Sequence, residues 1–97
     1  MDRSFTKYAQ ERFCFLRRAD SLFATGEAER DKGWHRQAGR RFEFAAELYR
    51  RALLSLMARK SLLAAEQCFQ SSKDSRLASL CKLRSDAILV LWEGDES

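Results

Sequence analysis

Ninety-seven residues hold one domain with a single modest core and leave no room for a second. With 45% apolar and 33% charged residues, four glycines and no proline, the composition fits an all-helical unit with short connections and argues against β-rich folds, which need more turn residues. The net charge of +4 is intermixed with acids instead of gathered into a tract, so nucleic-acid binding is not indicated.

The first helix is predicted over 5–31, with Phe5, Tyr8, Ala9, Phe13, Leu16, Ala19, Leu22 and Phe23 forming a broad apolar stripe. Gly26 falls on that stripe, where a missing side chain lets a second helix come close. The connection is expected from Asp31 to Trp34. The central helix is predicted over 35–59: Ala38, Phe42, Ala45, Tyr49, Ala52 and Leu56 recur at alternating steps of four and three, which keeps one helical face apolar. Ala46, Leu53 and Met57 widen the stripe on one side, and Phe44 and Leu48 flank it on the other.

After Leu56 the apolar phase slips, which predicts a break at 58–61. A third helix is predicted over 62–92 with Leu62, Ala65, Phe69, Leu77, Leu80, Leu83, Ala87, Ile88 and Leu91 inward. The serines and aspartate of SSKDS at 71–75 compete for backbone hydrogen bonds, so the helix can split there. Gly94 is expected to stop it, leaving 94–97 as a disordered tail. The predicted fold is thus an all-α antiparallel three-helix bundle over 1–93, its third helix open to division near 71–75. The competing layout makes 62–71 a separate short helix and gives four helices, a start toward an α-solenoid.

Cys14, Cys68 and Cys81 are odd in number and far apart among apolar neighbours, which reads as reduced core residues. No apolar run approaches the roughly 20 residues that cross a bilayer, and MDRSFTKYAQER has no signal-peptide apolar region, so a cytoplasmic location is expected.

LFATGEAERDKGWHRQAGRRFEFAAEL resembles the tetratricopeptide pattern at Leu22, Gly26, Ala28, Gly33, Ala38, Phe42 and Ala45. LRRADSLFATG followed by HRQAGRRFEFAAELYRRALLSL looks like a microtubule interacting and trafficking (MIT) domain, in particular the N-terminal one of autophagy adaptors of the nuclear receptor-binding factor two type. The resemblance implies a non-catalytic adaptor of endosomal trafficking or autophagy. Such an adaptor binds helical or extended peptides in grooves beside its third helix, and is recruited to endosomal or autophagic membranes only through partners. The partners it implies are ESCRT-III-like tails or subunits of a lipid-kinase complex. Residues left over once the core faces are filled are the groove candidates: Phe44 and Leu48 on the central helix, Leu89 and Trp92 on the last. Arg41, Arg51 and Lys82 are placed to meet acids of an incoming peptide.

Catalytic chemistry finds little footing. One histidine and no close cysteine pair leave no metal constellation, and there is neither a phosphate-binding glycine loop nor a serine nucleophile elbow. No cofactor is expected. Glu43 and Glu47 lie among arginines and read as ion-pair partners. One sharper alternative stands: Arg30 and His35 have the Arg-x4-His spacing of HEPN-type helical ribonucleases, which implies proton transfer by the imidazole and stabilisation of the phosphate by the guanidinium. A second alternative is a tetratricopeptide-like segment of a larger α-solenoid scaffold.

Overall fold

Three connections of one build divide the chain into four helices. In the computed structural model, which describes the backbone of residues 3–96 and the side chains of 7–88, these are α1 (Arg3–Asp31), α2 (His35–Arg51), α3 (Ser55–Ser71) and α4 (Ser75–Glu96). Gly33, Leu53 and Lys73, spaced twenty residues apart, take positive φ values of 84°, 64° and 62°. A left-handed residue turns the chain so that the amide after it reaches back five residues. Trp34 N–H donates to Glu29 O at 2.9 Å, Leu54 N–H to Tyr49 O at 2.9 Å and Asp74 N–H to Phe69 O at 2.8 Å. The same three residues open the following helix, their carbonyls accepting from Ala38, Ala58 and Ala78 at 2.9, 2.9 and 3.1 Å. One residue therefore closes one helix and starts the next, and so short a link leaves antiparallel neighbours.

The four helices replace the predicted three-helix bundle. The central helix ends at Arg51 instead of 59, and the break lies at 52–54 instead of 58–61. α3 is then a full helix of 17 residues, not the start of the last one. Leu53 is 76% exposed and Leu56 60%, so neither belongs to the buried stripe. The division expected near 71–75 is present at 72–74. α4 continues through Gly94 to Glu96, so that glycine is an interior helix residue and not a stop. Among the described residues there is no strand.

Packing joins consecutive helices, α1 to α2, α2 to α3 and α3 to α4. The result measures 52 × 33 × 15 Å, the short dimension being about that of two packed helices. One core cluster gathers Ala38 and Phe42, Ala65, Cys68 and Phe69, and Ala78 and Cys81, with Phe23 of α1 meeting Phe42 edge-on at 5.0 Å between ring centroids. The second gathers Ala19, Ala45, Leu48, Tyr49 and Ala58, with Met57 and Ile88 against them. The small residues mark the crossings. A Cβ on Gly26 would stand 3.1 Å from the Phe42 ring, and one on Gly39 2.8 Å from the Phe69 ring.

Most polar groups brought inside find a hydrogen-bond partner, the exceptions among the described residues being His35 Nδ1 and Arg59 Nε. The Tyr49 hydroxyl donates to the Asp20 carboxylate, tying α2 to α1. The Ser61 and Ser85 hydroxyls, wholly buried, donate to Met57 O at 2.9 Å and Lys82 O at 3.0 Å. Arg12 of α1 donates to Ala52 O at 2.7 Å, placing a cation on the carbonyl end of α2. Cys68 and Cys81 are core residues as expected, whereas Cys14 is exposed.

Candidate functional site

α2 buries one face, and what remains of its surface decides where a partner could sit. Ala38, Phe42, Ala45 and Tyr49 are buried, while Arg40, Arg41 and Phe44 turn toward α4 on the other side and form one wall of a groove of about 1020 Å³. Arg84, Ala87 and Ile88 of α4 form the opposite wall. Leu22 of α1 and Leu62 of α3 reach it from the layer beneath, so all four helices contribute and the groove exists only in the folded chain. Phe44 stands 60% exposed in it, a cost in water that a bound apolar side chain would remove.

The rim is basic. Arg40, Arg41, Arg50 and Arg84 face two acids, Glu43 and Glu47. Arg84 Nη1 lies 3.2 Å from Glu43 Oε2 and bridges the two walls. Glu47 accepts from Arg50 Nη2 at 2.7 Å and from Arg51 Nε at 3.3 Å. The hydrogen bond from Arg50 is the main reason its carboxyl is held below the ordinary range. Arg41 turns its Nε to the buried Glu29 at 3.1 Å. Arg40 has no ion-pair partner among the described residues.

Of the residues assigned to a peptide groove, Arg41 and Phe44 line this one. Leu48 does not: it is 6% exposed and packed in the second core cluster. One position before Tyr49 and three after Ala45, it falls on the inward side once α3 folds back at 52–54. Arg51 lies outside the lining and is engaged by Glu47. Lys82 is exposed on α4 beyond the groove. Leu89 and Trp92 lie outside the described side chains. Sequence reasoning missed Arg40, Arg84 and Ile88 as groove residues, and it placed Leu22 and Leu62 only as core. The available signal was the Arg40–Phe44 pair at i,i+4, an aromatic next to cations on the face opposite the core.

Arg30 and His35 occupy different surroundings. The Arg30 guanidinium stacks on Phe42 at 5.6 Å and approaches Glu27 at 3.9 Å. His35 lines a shallower depression of about 520 Å³ with Gly33, Trp34, Ser71 and Ser72, and Arg30 is not part of that lining. The thiols inside the core are unreactive acids: burial raises Cys68, and burial followed by the charge of Glu43 pushes Cys81 up to about 11. No group of three or more histidine, cysteine or acidic side chains among the described residues could hold a metal ion. Among those residues no helix is long and apolar enough to cross a membrane.

Comparison with protein-family models, with curated proteins and with solved structures finds no match.

Proposed function

We propose that the chain is a non-catalytic protein–protein interaction module that seats a helical or extended peptide of a partner in the groove between α2 and α4. The observation that carries this reading is Phe44, a large apolar side chain left 60% exposed on the wall of a cleft whose floor is leucine and alanine and whose rim is arginine. An aromatic on the wall of a cleft, above an apolar floor and beside cations, is the usual kind of anchor for a partner. The resemblance of residues 22–48 to a tetratricopeptide hairpin, and of 16–26 and 35–56 to MIT domains, supports an adaptor of trafficking or autophagy, acting in the cytoplasm with ESCRT-III-like tails or lipid-kinase subunits as partners.

The test is affinity capture from cell lysate with the wild-type chain and with Phe44→Asp, a change on the surface that leaves the core alone. Proteins retained by the wild type and lost with Phe44→Asp are expected. Identical capture by both, with both folded by circular dichroism, sinks the groove as the binding site.

A second reading, a segment of a larger α-solenoid scaffold, draws on the twenty-residue spacing of the three left-handed turns and on Leu80 and Leu83, which leave an apolar stripe on the outer side of α4. The two readings are compatible, because solenoids bind peptides in the grooves between their helices.

A further inference from the structure

Glu43 and Glu47 stand one turn apart on the α2 wall, and each carboxylate is already held by an arginine of the rim, Arg84 at 3.2 Å and Arg50 at 2.7 Å. Four arginines converge on a cleft that supplies only these two acids. We propose that the occupant of the groove is an acidic amphipathic α-helix of a partner protein, with Glu43 and Glu47 holding the rim arginines in the places its carboxylates would take. This rests on the groove being a peptide site, as argued above.

Three features of the groove fit that occupant. Its lining runs along α2 from Gln37 to Arg50, about 20 Å at 1.5 Å per residue, which matches a helix of about four turns. Its floor is apolar through Leu22, Ala46, Leu62 and Ile88, so it takes the i, i+3/i+4, i+7 side chains of an amphipathic helix. Its rim has cations to spare: Arg40 has no acid partner among the described residues, and a guanidinium with five N–H donors can serve a second carboxylate while keeping the first. The arginine side chains at positions 50 and 84 are 63% and 60% exposed, so their present ion pairs are weak and exchangeable. A nucleic-acid backbone fits less well, since it would meet two carboxylates and offer nothing to the leucine floor.

The experiment uses the full chain and a fluorescent helix-forming peptide of about 14 residues. One version carries leucines at i, i+3/i+4, i+7 flanked by glutamates, and the other replaces every glutamate by lysine. Fluorescence polarisation is expected to show binding of the glutamate peptide only, weakening as sodium chloride rises from about 50 to 500 mM because exposed charges are screened. Arg40→Glu with Arg84→Glu is expected to lower affinity about ten-fold or more, and Glu43→Gln with Glu47→Gln to raise it several-fold by freeing Arg84 and Arg50. Should the arginine variant fail to fold, the salt series on the wild type carries the decision. Equal binding of the two peptides, no binding of the glutamate peptide, or no salt dependence overturns the acidic class. An unchanged or weaker affinity in the Gln variant overturns the placeholder role. A partner captured from lysate through Phe44, with neither peptide bound, leaves the groove standing and removes only its acidic occupant; capture insensitive to Phe44→Asp removes both.

Discussion

The ring of Phe69 on α3 occupies the space in which a side chain at position 39 of α2 would stand. An alanine Cβ there would lie 2.8 Å from two ring carbons of a residue that is itself wholly buried. Alanine in place of a helical glycine ordinarily stabilises by about 1 kcal/mol. Here the clash with a ring that has nowhere to go outweighs that gain, since overpacking costs about 1–3 kcal/mol. Gly39→Ala is therefore expected to lower stability by up to about 2 kcal/mol net in urea unfolding. A stabilised variant would show that α2 and α3 are not packed this closely.

The turns at 53 and 73 predict the opposite sign. Leu53 and Lys73 hold positive φ values that side chains with a Cβ adopt at a cost of roughly 1–2 kcal/mol. Leu53 is 76% exposed, so removing its side chain forfeits little burial. Leu53→Gly and Lys73→Gly are each expected to stabilise by about 0.5–1 kcal/mol after the greater freedom of glycine in the unfolded chain is counted. The melting temperature should rise by several degrees in each, as expected for a chain of about 100 residues. An unchanged or lower melting point would mean that the turns do not depend on the left-handed residue.

Alkaline pH should unfold the protein from the inside. Cys81 has its pKa pushed from an ordinary 9.0 up to about 11, first by burial and then by Glu43. Tyr49 is pushed upward from 10.0, first by burial and then by its hydrogen bond to Asp20. Both are acids that are neutral when protonated, and folding favours the protonated form. Their contribution is complete below the unfolded values and is lost as pH rises, so stability should fall from about pH 9 upward. Cys81→Ala is expected to make the fall above about pH 9 shallower without abolishing it, because Cys68, also raised by burial, and from about pH 10 Tyr49 still lose stability on ionising. Denaturant midpoints that fail to fall across about pH 8 to 11 would remove the buried acids as the cause, and an equal fall in the variant would remove Cys81 alone.

Periodicity revealed the interior of α2 and concealed where it ends. Ala38, Phe42, Ala45, Tyr49 and Ala52 were readable from spacing alone, and all five are buried. The 31–34 connection was readable because Gly33 supplies a left-handed residue openly. At 52–54 the same backbone turn is made by Leu53 between two apolar neighbours, so composition carries no sign of it. The slip in apolar phase was real, but it shows only after the first turn of the next helix, which moved the expected break downstream. The groove followed the same logic. Arg41 and Phe44 stand out on α2 by themselves, whereas Arg84 and Ile88 become groove residues only because α4 lies across from α2, a fact that depends on the number of helices.

Trp34, Leu54 and Asp74 each end one helix and begin the next, which leaves these connections without slack. One residue inserted at any of them would either undo the shared hydrogen bonds or rotate the following helix by about 100°, turning its buried stripe toward water. The chain is consequently rigid in its arithmetic. Lengthening it inside the stack calls for whole helical units carrying their own turn, whereas a point insertion is best placed in α1 just before Arg12, where the side chains of residues 7–11 are exposed.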